Sequence, residues 1–194
     1  MNLYLIGPRG CGKSSVGRLL AEGLQRPWVD LDARIQAAAG KSISDIFASH
    51  GQGHFRELES TALAALARET VGRPHVVSLG GGAVLRPENR RVMESSGVTA
   101  LLVAEPKVLV ERLLADPATA TQRPALVDPR DTHWSLLEET EHVLALRLPT
   151  YQQCANLKLD TSQLTVSETV QQIIRWLERV DSSLLAPQGR GVEA

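Results

Sequence analysis

Gly7-Pro8-Arg9-Gly10-Cys11-Gly12-Lys13-Ser14 fits the spacing G-x-x-x-x-G-K-[ST], which is that of a phosphate-binding loop. Its chemistry is electrostatic. Glycines let the backbone curl until several N–H groups point into one hollow, and a helix starting there adds the partial positive charge of its N-terminus. Gly10, Cys11, Gly12, Lys13, Ser14 and Ser15 are therefore candidate nucleotide contacts. Lys13 has the reach for the outer phosphates, and the Ser14 hydroxyl can ligate Mg²⁺.

A phosphate loop specifies a nucleotide but not what receives a phosphoryl group. Asp30-Leu31-Asp32 offers two carboxylates at the end of an apolar run, where ligands bind in open parallel sheets. Strand alternation would put both on one side, with Leu31 facing the other way. One carboxylate then lies near Mg²⁺ and the other holds an acceptor hydroxyl; an Asp30 N-cap is the plainer alternative. Arg56 and Glu59, three apart in Phe55-Arg56-Glu57-Leu58-Glu59, share a helix face. They read either as a surface ion pair or as an Arg fork for a planar carboxylate, held by Glu59. Gly80-Gly81-Gly82 follows the apolar run Val76-Val77-Ser78-Leu79; three glycines in a row suit a place where something approaches the backbone closely. Arg123 sits in a polar, proline-rich stretch, where it is suited to folding over phosphates and stabilising charge in transfer. Arg147, near a predicted helix end, is ambiguous by itself. The five histidines show no metal-ligand spacing.

The elements that must hold these groups follow from periodicity. Strand-length apolar runs at 3–6, 28–31, 76–79, 99–103 and 155–159 alternate with stretches whose apolar residues recur every three or four positions, which predicts a parallel sheet covered by helices on both faces. Pro87 suits a first helical turn, and Thr165-x-x-Glu168 reads as a capping box opening a last helix over 166–180. Ser42-x-x-Asp45 is a weaker signal of the same kind. The stretch 116–131 lacks apolar periodicity and carries three prolines, as lids do. The 194 residues suffice for one domain, and a net charge of −1 gives no general affinity for nucleic acid or anionic membranes. Two cysteines make no disulfide framework, and no apolar stretch is long enough to span a bilayer. A reducing, cytoplasmic setting is expected.

Together GPRGCGKS at 7–14, DLD at 30–32, FRELE at 55–59, SLGGG at 78–82, QRPAL at 122–126 and RLPTY at 147–151 resemble shikimate kinases. The resemblance runs over about residues 2–180. It implies a three-layer α/β/α P-loop kinase fold with a five-stranded parallel sheet in the order 2-3-1-4-5. The expected organisation is one domain over 1–181, with a substrate-binding helical region at about 32–62, a mobile lid at about 114–131 and a disordered tail at 182–194. The activity implied is transfer of the γ-phosphoryl group of ATP to the 3-hydroxyl of shikimate, with Mg²⁺ as cofactor and ATP and shikimate as the small-molecule partners of a monomer. By the same resemblance, Lys13 is the phosphate-loop lysine, Ser14 a Mg²⁺ ligand and Asp30 a carboxylate acting on Mg²⁺ through water. Asp32 grips the acceptor hydroxyls and receives a proton, Arg56 and Arg147 clamp the shikimate carboxylate, Gly80, Gly81 and Gly82 lie against substrate, and Arg123 reaches the phosphates. The chain departs from the family in having Asp116-Pro117 where many members carry an adenine-packing arginine. Asp160-Thr161-Ser162 matches the adenine loop. Alternatives are another small-molecule kinase of this scaffold, such as a gluconate kinase, or a non-catalytic nucleotide-binding relative.

Overall fold

The first strand, β1 (Asn2–Ile6), is buried at all five positions, as a strand covered on both faces must be. Its side chains divide by parity. Leu3 and Leu5 enter one core with Val16, Leu20, Leu109, Ile173 and Leu177. Tyr4 and Ile6 enter a second core with Leu31, Ile35, Phe55, Leu63 and Met93. The computed structural model describes residues 1–116 and 134–185, the last five as helical backbone. Arg123, the rest of 117–133 and residues 186–194 lie outside the described residues.

β1 leads into helix α1 (Lys13–Leu24), followed by β2 (Trp28–Asp30), α2 (Leu31–Ala39) and the helical run α3 (Ile43–Glu69). Next come β3 (Val76–Ser78), a 3₁₀ turn at Ala83–Leu85, α4 (Pro87–Ser96), β4 (Gly97–Val103) and α5 (Pro106–Ala115). The long helix α6 (Leu136–Cys154), β5 (Leu157–Asp160) and α7 (Val166–Leu185) complete the chain. The five strands form one sheet in the order β2-β3-β1-β4-β5, and every neighbouring pair is parallel. The α/β/α fold and strand order expected from the resemblance are those of the structure. β1 lies between β3 and β4, so the chain reverses its direction of travel across the sheet beside the phosphate loop, where such sheets bind ligands.

Helix starts follow the punctuation in the sequence. Thr165 and Glu168 bond reciprocally, Glu168 N donating to Thr165 Oγ1 at 3.2 Å and Thr165 N to Glu168 Oε2 at 2.8 Å, and Ser42 caps α3 by accepting from Asp45 N at 3.1 Å. Pro87 occupies the first turn of α4. The other strands shift by one or two residues from the expected runs, and three further boundaries bear on the site or the chain's ends. β2 stops at Asp30 and Leu31 already begins α2, because the Asp30 side chain accepts from Ala33 N at 3.2 Å and turns the chain into a helix. Asp32 is thus a first-turn helical residue, not a strand neighbour of Asp30. α7 continues to Leu185 beyond the expected 180, and residues 114 and 115, assigned to the lid, end α5. Within α3, Gly51 has φ 80° and ψ 169° and divides the run into two helices, so the helix bearing Arg56 and Glu59 starts just after that joint.

Candidate active site

The phosphate loop gets its shape from left-handed glycines: φ is 139° at Gly7, 76° at Gly10 and 93° at Gly12. Gly7 has a second constraint, since a Cβ there would overlap the Leu102 carbonyl oxygen of β4. Gly12 is the N-cap of α1 and offers no side chain to the first helical turn, so the N–H groups of that turn remain directed at the hollow. Lys13 Nζ is held over it, donating to Gly7 O at 2.9 Å and Pro8 O at 2.7 Å. Ser14 Oγ donates to Asp30 Oδ2 at 2.9 Å. The N-cap reading of Asp30 holds, through Oδ1, and its other oxygen holds the loop serine. A hydroxyl and a carboxylate at this spacing suit Mg²⁺, which takes few protein oxygens and keeps waters and phosphates for the rest of its shell.

A cavity of about 440 Å³ opens beside the loop. Gly10, Cys11, Gly12, Lys13, Ser14 and Ser15 line it, together with Asp30 and Asp32 and with Arg112, Thr161 and Leu164. Lys13 and Asp32, distant in chemistry and on different elements, face one space. The Cys11 side chain is buried, so that residue meets the cavity through its backbone. Both cysteines are free thiols.

Past Asp32 lies a buried cluster of charge around the glycine turn. Asp32 is 7% exposed and Glu59 fully buried. Arg56 Nη1 donates to Glu59 Oε2 at 2.8 Å, and the Arg56 side chain is only 13% exposed. This is not the surface pair that the i,i+3 spacing also allowed. Arg147 Nη1 donates to Gly81 O at 3.3 Å, and Tyr151, one turn on along α6, donates its hydroxyl to the same carbonyl. A Cβ on Gly80 would lie 2.7 Å from Asp32 Oδ1 and 2.9 Å from Glu59 Oε1. A Cβ on Gly82 would lie 2.6 Å from Arg56 Nη1 and closer still to Nη2 and Cζ. The glycines are there to leave room for the charged side chains packed on them. Burial pushes the Glu59 carboxyl up to about 7, against the opposing pull of Arg56. Burial also lifts the Tyr151 phenol to about 12, keeping it a neutral donor.

Two contributors were missed from sequence. Tyr151 was only a landmark beside Arg147, although its burial and its bond to Gly81 make it a support of the turn. Arg112 was not singled out. Its guanidinium forks onto Thr161, Nη1 to Oγ1 at 3.0 Å and Nη2 to the carbonyl at 2.6 Å, and Thr161 Oγ1 reaches Val103 O at 3.0 Å. The only signal was an arginine one turn before Asp116 in a chain lacking the usual adenine-packing arginine. Ser78 lines the cavity, but its hydroxyl is committed to packing: it accepts from Trp28 Nε1 at 3.0 Å and donates to Lys13 O at 3.1 Å. Among the described residues, no three His, Cys, Asp or Glu side chains converge as a metal cage, and no helix is long and apolar enough to cross a membrane.

A family model described as shikimate kinase matches residues 9–178. The chain belongs to the shikimate kinase family. The shikimate kinase of Rhodopirellula baltica is 43% identical over 175 residues, covering 90% of this chain and 89% of that protein. That of Syntrophus aciditrophicus is 41% identical over 177 residues, covering 90% and 89%. Among solved structures, the shikimate kinase of Acinetobacter baumannii in complex with shikimate superposes with a TM-score of 0.81 at 28% identity, covering 92% of this chain and 93% of that one. The family's fold is thus the fold described above.

Proposed function

We propose that this chain transfers the γ-phosphoryl group of ATP to the 3-hydroxyl of shikimate, giving shikimate 3-phosphate and ADP on the route to chorismate. One observation carries the assignment of roles: Arg56 and Arg147 converge with Asp32 on Gly80–Gly82, and Asp32 in turn lines the phosphate-loop cavity. Shikimate is a small ring acid with three hydroxyls. It needs cations for its carboxylate and short acceptors for its hydroxyls, and this corner supplies both.

Phosphoryl transfer asks a protein for alignment and charge neutralisation more than for covalent chemistry. The loop N–H groups and Lys13 hold the phosphates, and the Gly7 and Pro8 carbonyls keep the Lys13 ammonium aimed at them. Asp32 accepts the hydrogen bond of the acceptor hydroxyl and takes its proton as the new P–O bond forms. Arg56 and Arg147 fix the ring by its carboxylate, so that the correct hydroxyl faces the γ-phosphate. Ser14 and Asp30 would hold Mg²⁺, which when bound neutralises phosphate charge. Arg123, outside the described residues, is assigned to the phosphates by the family pattern. A cytoplasmic setting belongs to the same reading, because a free thiol lies within the nucleotide loop.

The test is a coupled assay of ADP release from ATP and Mg²⁺, with shikimate or gluconate as acceptor. Turnover with shikimate and little with gluconate is expected. Equal turnover on the two, or none on shikimate, rejects the assignment.

A further inference from the structure

The charges at the acceptor corner do not balance once an acid enters it. Arg56 and Arg147 bring two positive charges, Asp32 and Glu59 two negative ones, and a bound carboxylate would add a third negative charge to a buried cluster. We infer that Glu59 takes up a proton from solvent when the acceptor acid docks on Arg56 and Arg147, so that the pocket becomes neutral as it fills. This rests on the proposal that those two arginines clamp the substrate carboxylate.

The geometry singles out Glu59 for the proton. It is fully buried. Its Oε2 is engaged by Arg56 Nη1 at 2.8 Å, whereas its Oε1 has no hydrogen-bond partner among the described residues. Oε1 faces the same point above Gly80 as Asp32 Oδ1, the two lying 2.9 and 2.7 Å from it. A proton on Oε1 therefore removes one of the two negative charges that meet over this glycine. The groups acting on Glu59 are Asp32 from α2, Arg56 from its own helix and Arg147 from α6. The Tyr151 hydroxyl, also from α6, stays protonated. Burial already brings the Glu59 carboxyl to about 7 before any acid is present, with Arg56 opposing and Asp32 adding to the rise. A substrate carboxylate on Arg56 shares the charge that opposes the rise and adds repulsion of its own. Protonation must strengthen in the complex, and by reciprocity the protonated site must bind the acid more tightly.

Calorimetry of shikimate binding to the full-length protein at pH 8, in phosphate and in Tris, tests this. A proton drawn from Tris costs that buffer's larger ionisation enthalpy, so the apparent binding enthalpy should be less favourable in Tris, by an amount approaching one proton per site. Glu59→Gln should bind with the same enthalpy in both buffers. Should that variant not fold, the wild-type Kd alone decides, rising with pH above 7 by up to about tenfold per unit until the complex itself ionises. Buffer-independent enthalpy in a wild type that binds shikimate, a Kd flat from pH 6.5 to 9, or proton uptake persisting in Glu59→Gln overturns the inference while leaving the substrate assignment intact. No binding of shikimate at all overturns both.

Discussion

Gly82→Ala tests the acceptor corner with a single methyl group. The backbone there has φ −106° and ψ −3°, a conformation open to alanine, so any effect must come from the space the methyl takes. Its Cβ would lie 2.6 Å from Arg56 Nη1, with Nη2 and Cζ closer, whereas ordinary contact begins at 3.4 Å. The guanidinium must therefore withdraw by at least about 0.8 Å, the difference between those two distances. It is the far end of a flexible side chain, so the fold survives. But Arg56 is tied to buried Glu59 at 2.8 Å, and a group moved that far no longer presents two N–H bonds to a carboxylate at a fixed position. Losing one charge-assisted hydrogen bond costs about 1.5–3 kcal/mol, or roughly a 10- to 150-fold rise in the KM for shikimate, with a smaller change in kcat. Gly81→Ala is the control. Its Cβ would meet Tyr151 Oη at 3.4 Å and Arg147 Nη1 at 3.8 Å, both ordinary contacts, so its KM should change far less. Steady-state kinetics with shikimate varied at saturating ATP and Mg²⁺, alongside thermal melts, measure both variants. A folded Gly82→Ala protein whose shikimate KM stays within about twofold of wild type would refute the placing of the substrate carboxylate on Arg56.

Lys13→Ala should nearly abolish turnover and leave the melting temperature close to wild type, since the Lys13 ammonium bonds only loop carbonyls and the Cys11 sulfur among the described residues; near-normal turnover contradicts its role at the phosphates. Glu59 should make stability depend on pH. The folded carboxyl keeps its proton up to about 7 and the unfolded one releases it at the ordinary value of 4.5, so between those values the native state holds more protons and stability falls as pH rises. The loss is on the order of 3 kcal/mol by pH 8, and Glu59→Gln should remove it in urea unfolding at pH 5 and pH 8; identical pH slopes in the two proteins would contradict this.

Local signals were legible wherever the physics was local. The phosphate loop needs contiguous residues of particular conformational freedom, and its glycines adopt the left-handed angles that the motif requires. The caps at Ser42 and Thr165 work over three residues, and both form. Asp30 and Asp32 do line one cavity, but not by the strand alternation invoked for them, because the Asp30 cap begins a helix between them. Arg56 with Glu59 stayed undecided in sequence, since the same i,i+3 spacing serves a solvated pair and a buried one, and only burial separates them.

By itself the sequence determined that the chain curls around phosphate, that continuous apolar runs alternating with stretches on a period of three to four build a helix-covered parallel sheet, and which groups carry charge. Tertiary structure alone decided that Arg147 and Tyr151, 66 and 70 residues from Gly81, close on its carbonyl, and that Glu59 loses all contact with water. The physical reason is that hydrogen-bond caps and loop dihedrals are set by neighbours in the chain. Desolvation, and with it the proton affinity of a carboxylate, is set by whatever the fold packs against that group from elsewhere.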